Sequence, residues 1–146
     1  MSATVAPLSA VRWLYACRRS DIVANTGAAA LVGGRQVALF RLLDPHTGEE
    51  HIHALDNIDP FSGAAVLARG LLGDASGEPY VASPMYKQRF ALRDGRCLDD
   101  TGVAVQVHLV RVVDDWILVG RVVAAADVLA ARAGDLMATA CETGRT

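Results

Sequence analysis

Short apolar runs separated by turn residues follow one another along most of the chain. The clearest pair, residues 28–32 and 35–42, flanks Gly33-Gly34, and glycines adopt the positive φ angles that a tight hairpin requires. Residues 51–55 alternate polar and apolar side chains after a turn at residues 44–48, which predicts a third, half-buried strand.

The second half of this pattern also consists of strands and turns. Residues 57–79 are irregular and rich in glycine, which predicts loops around one or two short strands. Two short strands are expected at residues 80–83 and 89–92, followed by a hairpin turn at Asp94-Gly95. Residues 103–109 alternate, and residues 116–123 can return antiparallel to them after Asp114-Asp115. Many short strands at modest spacing favour a mostly β, antiparallel sandwich or barrel.

The end of the chain has a different pattern. Residues 124–141 are rich in alanine and place apolar residues at helical spacing, which predicts a C-terminal helix. We expect its apolar face to pack on the β domain, with partner binding as an alternative. The expected organisation is an N-terminal tail (1–12), a β domain (13–123), and a C-terminal helix and tail (124–146).

Composition excludes several functional classes. The 146 residues are 52% hydrophobic with a net charge of -2 and no basic run, so the chain lacks the main source of affinity for nucleic acid. No apolar stretch approaches the about 20 residues of a membrane span, and the neutral N-terminus does not resemble a signal peptide. A cytoplasmic location follows as an expectation. Three widely spaced cysteines, Cys17, Cys97 and Cys141, are expected to be reduced thiols.

Few side chains suggest chemistry on their own. His51 and His53 would point to one face of a strand, which is a possible start of a metal site. Because the sequence offers no third ligand at suggestive spacing, an exposed strand face is favoured. The phosphate-binding glycine motifs and the G-x-S-x-G motif are absent from the sequence, so nucleotide and serine-hydrolase chemistry has no support.

Two turn-rich loops, around residues 59–64 and 83–90, resemble the cluster-binding loops of Rieske iron–sulfur domains. That family has a C-P-H-x-G loop and a C-P-x-H-x-x-x-F loop followed by a glycine turn, and it binds a [2Fe–2S] cluster through two Cys and two His. The framework residues of this pattern are present in the chain: Pro60, Gly63, Pro84, Phe90 and Gly95.

The four ligand positions of that pattern are substituted. Asp59 and Ser83 stand where the family has cysteines, and Phe61 and Tyr86 stand where it has histidines. Phenylalanine cannot bind iron, and serine and tyrosine are poor ligands for such a cluster. We therefore expect neither metal nor cofactor in this chain. Asp59 and Ser83 would cap turns, whereas Phe61 and Tyr86 would fill the hollow left by the cluster.

From residue 13 to residue 123 the chain is similar to the small subunits of bacterial assimilatory NADH-dependent nitrite reductases, whose Rieske-like domain commonly lacks the cluster ligands. The resemblance implies a Rieske-like antiparallel β sandwich. It also implies an accessory role without catalytic residues, beside a large subunit that carries FAD, a [4Fe–4S] cluster and sirohaem and reduces nitrite to ammonium. Tyr86, Lys87 and Arg89 are the expected contacts with that partner.

Two alternatives remain open at this point. One is a Rieske-type [2Fe–2S] electron-transfer protein, which the substituted ligand positions oppose. The other is a cluster-free Rieske-like interaction module of a different oxidoreductase.

Overall fold

The computed structural model describes residues 9–124 and 140–142, which form ten strands and two short 3₁₀ helices. The strands are β1 (Ser9–Arg18), β2 (Thr26–Val32), β3 (Arg35–Leu43), β4 (Glu50–Asp56), β5 (Leu71–Ala75), β6 (Glu78–Ala82), β7 (Arg89–Ala91), β8 (Val107–Val113), β9 (Trp116–Ala124) and β10 (Ala140–Glu142). The 3₁₀ helices are Arg19–Asp21 and Leu67–Arg69.

Two antiparallel sheets make up the fold. The larger sheet has seven strands in the order β1-β9-β8-β4-β3-β2-β10, and its two ends approach each other where β1 lies beside β2 and β10. The smaller sheet has three strands in the order β5-β6-β7. The prediction of a mostly β, antiparallel fold is confirmed.

The strand β3 lies between two hydrophobic cores. Val37 and Leu39 pack in a core inside the large sheet, whereas Ala38 and Phe40 pack in a second core. The second core also contains Val81 and Phe90 of the small sheet. Because both faces of β3 are buried, its sequence is a continuous apolar run, as expected for a strand covered on both sides.

The predicted first hairpin is confirmed. β2 and β3 pair in register through Gly33 and Gly34, which have φ angles of 57° and 81°. Two successive positive φ angles match the right-handed twist of the strands that they connect. The expected strand at residues 51–55 is also present, as part of β4.

One strand was predicted too early in the sequence. The prediction of a strand at residues 103–109 is wrong for residues 103–106, since β8 begins at Val107. Val105 donates its N–H to the Gly95 carbonyl, and Cys97 donates to the Val103 carbonyl. This segment is therefore bonded to the preceding turn, although its side chains alternate like those of a strand.

The predicted C-terminal helix lies mostly outside the described residues, which omit 125–139. At its two ends the prediction is wrong, because Ala124 is the last residue of β9 and β10 pairs with β2. Pairing of β10 satisfies backbone groups at the edge of β2, and such tertiary pairing overrides a local helical preference.

Candidate functional site

The first predicted loop forms a tight turn over residues 59–64, here called the first turn. Asp59 and Ala64 are joined by a backbone hydrogen bond of 2.8 Å, and Gly63 donates its N–H to the Asp59 carbonyl at 2.7 Å. Gly63 has a φ of 77°, which glycine adopts without steric cost. The Asp59 carboxylate accepts the Phe61 N–H at 2.8 Å, so the side chain holds its own turn.

The second predicted loop repeats this geometry over residues 83–88, here called the second turn. Ser83 and Gln88 share a 2.9 Å backbone bond, and Lys87 donates its N–H to the Ser83 carbonyl at 2.9 Å. Lys87 has a φ of 66° and occupies the place of Gly63. The Ser83 hydroxyl accepts the Met85 N–H at 3.2 Å. The two turns therefore present Asp59 and Ser83 in equivalent positions.

These two side chains meet between the turns. The Ser83 hydroxyl donates to Oδ2 of Asp59 at 2.5 Å, and both residues are buried, with 0% of Asp59 and 1% of Ser83 exposed. Each carboxylate oxygen thus has a partner, since Oδ1 accepts the Phe61 amide. A buried charge or hydroxyl is tolerated only with such partners. The expectation that Asp59 and Ser83 cap turns by local hydrogen bonds matches this geometry.

The two aromatic side chains at the substituted positions behave differently from each other. Phe61 is half-buried and lies against the second core, with its ring centroid 6.1 Å from that of Phe90. Tyr86 is 61% exposed. The expectation that Tyr86 fills a hollow between the loops is therefore wrong, because the Asp59–Ser83 bond already closes the space between the turns and leaves the tyrosine on the surface.

The residues at the four positions do not fit a [2Fe–2S] cluster. The two side chains in the cysteine positions are a carboxylate and a hydroxyl, and they are hydrogen-bonded to each other at 2.5 Å. Phe61 has no donor atom, and thiolate and imidazole are the ligands that such clusters use. Within residues 9–124 and 140–142, no group of three or more His, Cys, Asp and Glu side chains could hold a metal ion.

The residues expected to contact a partner lie at and beside the second turn. Met85, Tyr86 and Lys87 are exposed at its tip. Arg89, in contrast, begins β7 and binds Asp99, with Nη2 2.8 Å from Oδ1. Hydrogen bonds from this guanidinium lower the pKa of Asp99. Arg89 is therefore engaged within the domain, whereas Tyr86 and Lys87 project from it.

Sequence reasoning missed the residue that anchors the first turn. Asn57 is 2% exposed and accepts the Ala68 N–H on its side-chain oxygen at 2.8 Å. Its side-chain amide donates to Gln36 at 3.1 Å. Asn57 thus fastens the approach to the first turn to both the 3₁₀ helix Leu67–Arg69 and β3. The signal for this role is the burial of Asn57, and burial cannot be read from the sequence.

The histidine pair on β4 is not part of this site. The rings of His51 and His53 lie with centroids 6.5 Å apart, and His51 is exposed beside Glu49. Burial lowers the pKa of His53, and the nearby His51 lowers it further. The favoured interpretation as an exposed strand face therefore holds for His51, whereas His53 is half-buried.

The geometry of the two turns agrees with the comparisons to known proteins. Residues 12–120 match the family model of the Rieske-like [2Fe–2S] domain. A protein from Salmonella typhimurium named nitrite reductase (NADH) small subunit is 46% identical over 103 residues, which are 70% of this chain and 92% of that protein. The crystal structure of a Mycobacterium tuberculosis protein superposes with a TM-score of 0.69 at 46% identity, covering 77% of this chain and 96% of that one.

A third relative places a similar sequence inside a much longer chain. It is the large subunit of an NAD(P)H nitrite reductase from Klebsiella oxytoca, 47% identical over 108 residues. Those residues are 74% of this chain and 11% of the Klebsiella protein. A domain of this kind thus exists both as a separate small subunit and as part of a large one.

Proposed function

Since the chain belongs to the NADH nitrite reductase small subunits, a family with the Rieske-like fold, we propose that it acts as the accessory subunit of a nitrite reductase. In this role it binds the large catalytic subunit and supports the reduction of nitrite to ammonium with NADH. The hydrogen bond between Asp59 and Ser83 carries the accessory assignment, because it occupies the position where a redox-active relative would bind iron.

The Klebsiella relative supports a physical association with a large subunit. The segment that is 47% identical to this chain is part of a single polypeptide named as a large subunit. In the Klebsiella protein a covalent link keeps the two domains together. Where the same two domains are separate chains, they need a binding surface to associate. We infer that this chain has such a surface for its large subunit.

We assign all redox chemistry to the partner. The two turns offer a carboxylate and a hydroxyl that are saturated by each other and by backbone amides. No residue of the pair is left to act as a nucleophile or base toward a substrate. FAD, a [4Fe–4S] cluster and sirohaem are expected in the large subunit, and the complex is expected in the cytoplasm. Within the described residues, no helix has the length and apolar composition of a membrane span.

The tip of the second turn is the part of this site that can meet the partner. Met85 and Tyr86 are 46% and 61% exposed, and Lys87 lies beside them with its φ of 66°. Exposed methionine and tyrosine are common in protein interfaces. Arg89 is the third expected contact. Because it forms an ion pair with Asp99, it helps to position the tip more than it contacts the partner directly.

Co-expression of both chains tests the function. We expect them to co-purify, and nitrite-dependent oxidation of NADH by the pair to exceed that of the large subunit alone. The purified small chain is expected to contain neither iron nor sulfide. Near-stoichiometric iron with a visible absorption band would favour the electron-transfer alternative. Failure to co-purify, together with activity of the large subunit that does not depend on this chain, would contradict the assignment.

A further inference from the structure

The outer face of β1, β9 and β8 consists of side chains in register across the three strands. Trp13, Gly120 and Leu109 form one row, and Tyr15, Leu118 and Arg111 form the next. A third row follows the bulge in β1 and contains Arg18, Trp116 and Val113. We call these three rows the aromatic face.

The aromatic face is turned away from the interior of the large sheet, although Leu118 in its middle row is itself only 9% exposed. Leu14, Ile117 and Val119, which alternate with its members along β1 and β9, are buried inside the large sheet. Tyr15, Leu109 and Val113 are 38%, 49% and 47% exposed. Large contiguous apolar surfaces are uncommon on proteins that act alone, and they mark sites of interaction.

Its composition is that of a binding surface. Tryptophan, tyrosine and arginine are the residues most enriched among those that dominate binding energy, whereas lysine, aspartate and glutamate are depleted. The three rows contain both tryptophans of the chain, one tyrosine and two arginines, and no lysine, aspartate or glutamate. The same composition explains why β1 gives no alternating pattern, since both of its faces are apolar.

The side chains of this face are held in place before any partner binds. A Cβ atom on Gly120 would lie 3.0 Å from the Trp13 ring and 3.0 Å from Leu109, so the glycine lets its neighbours close over the strand. The Arg18 guanidinium carbon lies 4.6 Å from the ring centroid of Trp116, and that of Arg111 lies 5.6 Å from Trp13. Tyr15 packs edge-on against Trp116 at 5.5 Å. Preorganised aromatic side chains lose little entropy on binding.

The two arginines indicate the chemistry of the partner. Within residues 9–124 and 140–142, neither the Arg18 nor the Arg111 guanidinium lies within 4.0 Å of a carboxylate oxygen. Arg18 is nevertheless close enough to Asp115 to help lower the pKa of that carboxyl, so Arg111 is the arginine of this face with no acidic neighbour among the described residues. A guanidinium that stacks on a ring still directs its N–H groups outward toward carboxylates. The complementary surface therefore combines apolar side chains with carboxylates.

We propose that the aromatic face docks on the large subunit, against an apolar surface that carries acidic residues; this rests on the function proposed above. A second copy of this chain fits the surface less well. In a twofold dimer through this face, the three rows of one copy would offer no carboxylate to the arginines of the other, so the positive charges would be unmatched.

Two matched substitutions of exposed leucines test the docking. Leu109→Asp places a charge in the aromatic face, whereas Leu71→Asp does so on β5 of the small sheet, where Leu71 is 78% exposed. We expect Leu109→Asp to weaken binding to the large subunit at least about tenfold and Leu71→Asp to change it little. If wild type binds and Leu109→Asp binds equally well, the docking surface is wrong while the proposed function stands. If wild type does not bind, both fail.

Fluorine NMR offers a readout confined to this surface, because Trp13 and Trp116 are the two tryptophans of the chain. In a small subunit labelled with 5-fluorotryptophan, both resonances should shift or broaden when unlabelled large subunit is added. Resonances that stay unchanged in a complex that co-purifies would overturn the proposal. A dimer of the isolated chain that Leu109→Asp dissociates would overturn it as well, in favour of a second copy. A fall in the melting temperature of isolated Leu109→Asp as large as that of a core variant would overturn it in favour of coverage by residues 125–139.

Discussion

The Ser83 hydroxyl donates a hydrogen bond of 2.5 Å to the Asp59 carboxylate, and this bond joins two turns that are 24 positions apart in the sequence. Both side chains are buried and both also accept a backbone N–H of their own turn. The bond thus takes over the connection that metal ligands would make between two such loops. We therefore expect loss of this hydrogen bond to lower the stability of the fold and not to remove a catalytic group.

Removal of the hydroxyl in Ser83→Ala should lower the free energy of unfolding by about 2 kcal/mol or more, because Oδ2 of the buried Asp59 carboxylate loses its partner and remains away from water. Urea denaturation measures this change. Ser62→Ala is the matched control, since Ser62 accepts only the nearby Ala64 N–H and its removal should cost under about 1 kcal/mol. Equal stability of the two variants would contradict a structural role for the buried pair.

Phe61→Ala should lower the free energy of unfolding by about 2 kcal/mol. A fully buried phenylalanine costs about 3–5 kcal/mol when it is truncated, and Phe61 is only half-buried. Phe90, which contacts Phe61 and is 0% exposed, is the comparison, and Phe90→Ala should reach the full range. Thermal or urea denaturation of both variants checks the order. A larger loss for Phe61→Ala than for Phe90→Ala would contradict the half-buried position of Phe61.

Strands with one apolar face, or with a specific turn beside them, were predictable from the sequence, whereas β1 was not. The hairpin of β2 and β3 could be predicted because Gly33-Gly34 specifies the turn, although β3 is buried on both sides. β1 has no such turn, and its outward Trp13 and Tyr15 remove the alternation that marks a strand. Residues 103–106 alternate but bond to a turn. Patterns of side chains do not report where the backbone finds its partners.

The candidate site was predictable in its framework more than in its side-chain contacts. Proline and glycine at fixed spacing indicated both turns, because these residues restrict or permit particular φ angles. The exposure of Tyr86 and the anchoring by Asn57 depend on packing across the sheets. The same turn geometry, with a glycine at positive φ, recurs at residues 44–49 and 91–96. The turn alone is therefore a structural element of this fold and does not define a site.

The half-buried histidine His53 predicts a loss of stability in mild acid. Burial and the neighbouring His51 lower its pKa in the folded state, so the unfolded chain binds the proton more readily. The stabilisation is fully present above the unfolded pKa of about 6.5, and it is lost as pH falls toward the lower folded value. The free energy of unfolding should therefore decrease between pH 7 and pH 5. His53→Gln should flatten this decrease, whereas exposed His46→Gln should leave it intact.

Lys87 is the single lysine of the chain, so an amine-reactive reagent reports on the tip of the second turn with only the N-terminal amine as a second target. In the free small subunit, exposed Lys87 should be modified readily. In the complex with the large subunit it should be protected several-fold if the tip contacts the partner, because an interface excludes the reagent. Peptide mass spectrometry of the small subunit before and after assembly measures the protection.

Charge reversal at Lys87 is an independent test of whether the tip contacts the large subunit. Lys87→Glu should lower the affinity for the large subunit and the nitrite-dependent oxidation of NADH at limiting small subunit, because it opposes the charge that the partner meets. Arg89→Glu is a poor substitute, since it also breaks the ion pair with Asp99 and disturbs β7. Lys87→Gln is the better control, since it removes the charge without reversing it. If Lys87 is labelled equally in the free and the bound subunit, and Lys87→Glu is fully active, the tip lies outside the interface. The aromatic face would then remain as the proposed contact with the large subunit.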